Sequence, residues 1–308
     1  MYFPILRGRQ NELLALRELQ EAKRLEHVTP IIEPVKASST LLSVLQLFQE
    51  EEKELLLVGN PIVGSFEKEL SQNIEYRRRF ESLLMANSHL VGMYYCGYGS
   101  DSDVLSIAEM PKAYVLNAEN RDQYDSVCQM EVPAYTLVST GNSRVQRKAK
   151  GRRISLESAF KPQARNADYC SHKEDFLTEE LFYYTEDGFD GFSDYSVIGE
   201  GYSEGGFMPK VVALHLVHLN PAKDQLFVRH FTSSEERRGS DVGGKFHEAL
   251  GELISWADDN EGLLRPTSAL DAMKRIYVEG KFPGLGVAKR LAIMHHLELV
   301  NSLLEESR

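Results

Sequence analysis

Six short apolar runs, each followed by a longer amphipathic one, occupy the first about 140 residues, and this alternation restricts the fold more than any other feature of the chain. "FPILR" precedes "NELLALRELQEAKRL". "VTPIIEPV" precedes "STLLSVLQLFQEEEK", with Ser39 or Thr40 placed to cap that helix. "LLLVGNP" leads into "SFEKELSQNIEYRRRFESLLMANS", which reads as one long helical stretch. "LVGMYYCG", "KAYVLN" and "AYTLVST" complete the strands, separated by "DSDVLSIAEM" and "RDQYDSVCQM". Continuous apolar strands alternating with helices call for a parallel sheet with helices outside it. Such a sheet is either open and doubly wound or closed on itself. No glycine-rich phosphate loop follows the first strand, which favours the closed form: an α/β chain with a barrel-like (β/α) fold.

The rhythm breaks in the second half, so the barrel is expected to be irregular there. Residues 144–153, "RVQRKAKGRR", are basic and poor in apolar side chains and read as an exposed loop or hairpin tip. "ISLESAF", "DYSVIGEGY", "VVALHLVHL" and "QLFVRHF" are strand candidates, the last two joined through "LNPAKD" as an antiparallel hairpin. Three helical stretches follow, "GGKFHEALGELISWADD", "SALDAMKRIYVE" and "GVAKRLAIMHHLELVNSLLEE". The expected division is a barrel-like domain over 1–262, carrying the basic loop, and a helical hairpin over 263–308 packed on it. A chain of 308 residues with 42% hydrophobic and 26% charged residues has the balance of a globular protein. Its net charge of −11 argues against coating nucleic acid with the whole surface and leaves only local basic patches for that role. Without a run of roughly 20 apolar residues or a signal-peptide pattern, a cytoplasmic location and no membrane partner are expected. Cys96, Cys128 and Cys170 are far apart and read as free thiols rather than a disulfide framework or a thiolate metal site.

The first two strands end in charge. Phe3, Ile5, Arg7 and Arg9 share one face, as do Ile31, Glu33 and Val35. If the apolar members point into a barrel, Arg7 and Glu33 stand at the mouth where this architecture builds its sites, with Asn60, Asn117 and Ser139 ending three further strands. Arg7, Arg9 and Lys36 could grip a phosphate or carboxylate, and Glu33 could serve as a base or metal ligand. An Arg–Glu pair that merely closes the top of the core is the competing reading. Asp194 is a further catalytic candidate, at a glycine-marked turn that it could equally fix by hydrogen bonds. Gly201-Tyr202-Ser203-Glu204-Gly205 matches a nucleophile elbow formally, but Gly206 and Pro209 follow where a helix is needed. His215 and His218, three apart on a strand, face opposite sides and cannot share a metal ion. His215 or His230 could act singly as a base, against the competing reading of a hydrogen-bonded core histidine.

The segment "AMKRIYVEGKFPGLGVAKRLAIM" resembles the helix-hairpin-helix motif of DNA-binding proteins, in which a glycine-flanked turn brings backbone N–H groups to a phosphate. Gly284 and Gly286 occupy the matching positions, with Lys281 and Lys289 nearby; Arg152 and Arg153 would add to such a surface. More broadly, "YFPILRGRQNELLALREL…TPIIEPVK", "NADY", "GFSDYSVIGEGY" and "RHFTS…KFHEAL" resemble the phage "beta protein" family and its bacterial relatives over most of the chain. That resemblance implies a barrel-like fold and a role in phage–host conflict, and it names no catalytic residue and no cofactor. Three functions are therefore carried forward. One is binding, with or without hydrolysis, of a phosphate-bearing ligand such as a nucleotide or nucleic-acid end. Another is non-catalytic binding of a partner chain or second copy through helices bearing Phe246, Trp256, Ile293 and Met294. The narrowest is sequence-independent nucleic-acid binding through 144–153 and 281–290.

Overall fold

The structure is a computed structural model that describes residues 1–98, 105, 109–204, 210–234 and 240–307. Most of the "DSDVLSIAEM" segment, and Gly205, Gly206 and Pro209 of the elbow-like stretch, lie outside the described residues. The chain forms two compact units, Met1–Ser158 with Tyr183–Tyr195, and Ala159–Phe182 with Ser196–Arg308. The boundary thus falls far upstream of the expected 262, because the hairpin and helices of the second half build a core of their own.

In chain order the strands are β1 (Ile5–Leu6), β2 (Ile31–Ile32), β3 (Leu55–Val58), β4 (Leu90–Tyr95), β5 (Lys112–Leu116), β6 (Tyr135–Ser139), β7 (Arg152–Leu156), β8 (Glu174–Thr178), β9 (Gly191–Ser193), β10 (Ala213–Asn220) and β11 (Gln225–Thr232). The first unit holds eight of them in the order β1-β2-β3-β4-β5-β6-β7-β9, every neighbouring pair parallel. Its ends meet: the Phe3 N–H donates to the Phe192 carbonyl at 2.8 Å and the Ile5 N–H to the Asp194 carbonyl at 2.8 Å. This is the eight-stranded (β/α) barrel that the alternation predicts. β3 shows why the runs are unbroken: all four of Leu55–Val58 are 0% exposed. A strand covered on both faces buries every side chain, each worth about 1.5–3 kcal/mol of transfer free energy. Gly191 permits the seam, since a Cβ there would stand 2.6 Å from the Phe3 ring and 2.7 Å from the Met1 carbonyl.

Two local expectations change. The stretch after β3 is two helices, Phe66–Gln72 and Ile74–Ala86, because the Asn73 side chain accepts the Tyr76 N–H and starts the second afresh. The cap of helix Ser39–Glu50 is Ser38, which accepts the Leu41 N–H at 3.2 Å. The basic stretch is not one loop either. It begins with a short helix, Ser143–Gln146, and ends inside β7, where Arg152 and Arg153 pair with Tyr135 and Thr136 of β6.

In the second unit β10 and β11 form the expected hairpin, and β8 adds antiparallel to β11. Helices Val242–Asp259, Ser268–Val278 and Leu285–Glu306 complete it, so the C-terminal helical tail belongs to a sheet of its own. Thr267 ties two of these helices to each other. Its hydroxyl accepts the Leu270 N–H at 3.1 Å and meets His295 Nδ1 at 2.8 Å, while Glu298 accepts from the Ser268 N–H and hydroxyl at 2.8 and 2.6 Å. His295 Nε2 donates to the Val217 carbonyl of β10 at 2.9 Å, so one buried imidazole links a helix cap, a long helix and a strand. Phe246, Ile293 and Met294, read as partner-binding residues, are 2%, 0% and 6% exposed and pack inward.

Candidate functional site

The barrel mouth collects the residues that the strand periodicity placed there. Arg7 follows β1, and its guanidinium bonds to Glu33, just beyond β2. Glu33 is 0% exposed. Its Oε1 accepts the Ile62 N–H at 2.8 Å, and its Oε2 also meets the Tyr95 hydroxyl at 3.3 Å. The Arg7 guanidinium lies 5.1 Å from the Tyr195 ring centre, and the Arg7 N–H donates to Glu12 at 2.7 Å. Burial alone would lower the Arg7 pKa, but the charge of Glu33, with smaller contributions from Tyr95 and Tyr195, outweighs it and raises the pKa further. Burial, and then Glu33, pushes the Tyr95 hydroxyl well above its usual range. The geometry is that of a neutralised pair with both Glu33 oxygens engaged.

The other mouth residues hold the frame. Asn60 clamps β4, its amide donating to the Tyr95 and Tyr98 carbonyls at 2.9 and 2.8 Å and its oxygen accepting the Tyr95 N–H at 3.0 Å. Asn117 accepts from the N–H groups of Glu119 and Asn120 and fixes a turn. Asp194 accepts from the Tyr2 hydroxyl at 2.5 Å and is 3% exposed. Arg9 is half-buried at the start of helix Gln10–Glu21, and Lys36 is exposed. Of the three basic residues, Arg7 is committed to Glu33.

The expected nucleic-acid residues are similarly dispersed in role. Arg152 donates to the Tyr135 hydroxyl at 3.1 Å, and Arg153 to the Gly188 carbonyl at 2.5 Å. Lys281 pairs with Glu279 at 2.8 Å. Gly284 has φ +98° and precedes helix Leu285–Glu306, in which Gly286 is the second residue. Lys289 is half-buried and lines a cavity.

That cavity lies wholly within the second unit and is the more informative site. It has a volume of about 310 Å³. Its wall is largely apolar, with Phe160, Leu250, Met273, Ile276 and Leu291 among its residues, and His215 is part of it. His215 lies on β10 directly opposite His230 on β11, and their Nδ1 atoms are 2.8 Å apart. His230 Nε2 meets Asp175 Oδ2 of β8 at 3.0 Å, and the other Asp175 oxygen bonds to the exposed His172. The ring of Tyr169 lies 4.9 and 4.4 Å from those of His215 and His230, and Phe160 meets His215 edge-on at 5.3 Å.

The protonation pattern follows from the partners. Burial raises the Asp175 pKa, but hydrogen bonds from His172 and His230 outweigh it, so Asp175 is a carboxylate and can only accept. Burial lowers the His230 pKa despite the attraction of Asp175, so the ring is neutral with its proton on Nε2. His230 Nδ1 must then accept from His215 Nδ1–H. His215 is half-buried and lines the cavity. Burial, and then His230, push its pKa down to about 3. Its Nε2 therefore carries a lone pair and no proton, and makes no hydrogen bond among the described residues. The sequence reading considered His215 and His230 only as single bases. Their pairing follows from the turn only once it is confined to Pro221–Asp224, which sets Asn220 opposite Gln225 and therefore His215 opposite His230; "LNPAKD" taken whole as the turn gives a register two residues off. Asp175 and Tyr169 carry no comparable signal in the sequence.

No family model matches the chain, and no curated protein matches it. Among solved structures it is similar to N-acetylneuraminate lyase from Mycoplasma synoviae, with 11% sequence identity over 63% of this chain and 68% of that one and a TM-score of 0.36. A likeness this distant carries no argument about chemistry. The barrel is established by the strand order itself. No described helix is long and apolar enough to cross a membrane.

Proposed function

We propose that the chain is a small-molecule-binding protein whose ligand occupies the cavity of the second unit, with His215 as the group that orients it. The observation that carries this reading is the hydrogen-bonded series Asp175–His230–His215 ending at the wall of a cavity of about 310 Å³. A concave, mostly apolar space of roughly 300 Å³ or more with a few placed polar groups is the usual form of a ligand site. An aspartate behind a histidine is also the arrangement of a general base. The magnitudes favour binding over base catalysis, because a base works best near the ambient pH and His215 is pushed down to about 3. A phosphate-bearing ligand at the barrel mouth is the weaker reading, since Glu33 already neutralises Arg7 there. The proposed kinship with phage beta proteins is compatible with a ligand sensor, which need not be an enzyme.

The test is a cavity-filling substitution. Ala292, 8% exposed and part of the cavity wall, replaced by Phe should abolish binding of an apolar naphthalene dye while leaving the melting temperature within a few degrees of wild type. Dye binding that survives Ala292→Phe would overturn the reading. Mass spectrometry of what denaturation releases from purified protein would supply the ligand's mass.

A further inference from the structure

The direction of hydrogen bonding along the histidine series specifies what the cavity can accept. Asp175 fixes a proton on His230 Nε2, His230 Nδ1 then accepts from His215 Nδ1–H, and His215 Nε2 is left as an acceptor. The polar end of a ligand at this nitrogen must therefore donate a hydrogen bond. Carboxylates, ketones and ethers present only lone pairs to it and are disfavoured. An ammonium group donates, but it would leave water for a largely apolar wall. A neutral O–H satisfies both conditions. Aromatic rings suit the same place, since Phe160 and Tyr169 already meet His215 edge-on.

We infer that the cavity selects an apolar molecule bearing a hydroxyl group, a phenol or an alcohol, whose O–H donates to His215 Nε2. The inference rests on the ligand-binding reading of the cavity and adds the chemical class. It also assigns a positioning role to two residues that never touch the ligand. His230 and Asp175 hold the tautomer, and a tautomer reversed by their loss would turn the site from an acceptor into a donor.

The experiment compares two probes of nearly equal shape, 4-propylphenol and its methyl ether 4-propylanisole, titrated into the full chain by calorimetry. The phenol is expected to bind more tightly by about tenfold, the size of one net hydrogen bond to a buried acceptor. His215→Leu should erase that preference by weakening the phenol alone. Equal affinities, or a preference for the ether, would overturn the hydroxyl class while leaving the cavity as a ligand site. Binding of neither probe would overturn both. A second measurement needs no variant: nitrogen-15 NMR of the native imidazoles should show His215 Nε2 unprotonated at neutral pH, and a protonated Nε2 would overturn the inference.

Discussion

Glu33 and Arg7 are both charged and both almost wholly out of water, 0% and 5% exposed, which makes them costly to separate. Glu33→Ala strands a buried guanidinium and should lower unfolding free energy by about 3–5 kcal/mol in urea titrations. Replacing both at once, Arg7→Met with Glu33→Leu, should recover most of that loss. A ligand-gripping pair would behave differently, with single changes costing binding and little stability. Asp175 supports a different kind of prediction, because its role is to select a tautomer. Asp175→Ala removes the acceptor for His230 Nε2–H, so both rings should populate both tautomers. The nitrogen-15 shift of His215 Nε2 should then move toward an averaged value, while an unchanged shift would mean that packing against Tyr169 and Phe160 holds the ring instead.

Among the elements, the seam between β9 and the N-terminal segment is the one on which the barrel depends. Gly191→Val would drive a side chain into the Phe3 ring and the Met1 carbonyl and should cost at least about 2 kcal/mol, seen as a lower urea midpoint. An unchanged midpoint would mean that the seam yields without loss. β1 to β6 were legible because their side chains are mostly apolar and buried, without the alternation of a half-exposed sheet, although Lys112 begins β5 and Thr136 and Ser139 lie in β6. β7 was partly hidden by Arg152 and Arg153 at its start. Their charge suggested solvent, whereas the Arg153 N–H and guanidinium are taken by Asp190 and the Gly188 carbonyl. Period-two counting put Arg7 beside Glu33 but not Arg9, which follows Gly8 at φ +60° and stands at the start of helix Gln10–Glu21, and which groups were committed to one another was not visible. That depends on Ile62, Tyr95 and Tyr195, which come from other loops and strands. His215 was seen and its meaning was not, since Asp175 arrives from β8, a strand that no apolar run announced.

For the whole molecule, the second unit concentrates neutral buried histidines. Burial pushes His215, His295 and His296 down to about 3, 4 and 3, and lowers His218 and His230 as well. Unfolding restores an ordinary pKa near 6.5, so below that value the unfolded chain binds more protons and stability falls with falling pH. Each fully buried histidine removes at most about 1.4 kcal/mol per pH unit between 6.5 and its folded value, and none of this loss acts above 6.5. Trp256, the single tryptophan, packs on His218 and Phe231 within this unit and reports on it alone. Its fluorescence should show a reversible transition as pH falls from 6.5 to 4. A urea midpoint that is flat across that window would contradict the neutral-histidine assignment. The path of the chain adds a constraint on synthesis. It leaves the barrel after Ser158, lays down β8, returns for β9 and leaves again. On the ribosome the barrel cannot seal until Phe192 and Asp194 emerge, and by then β8 is already outside, waiting for a partner, β11, that has not been made. The nascent protein therefore passes through a stage with a half-finished sheet edge exposed. A pause in translation after β8 has emerged and before β11 has would lengthen that stage and raise the yield of aggregate.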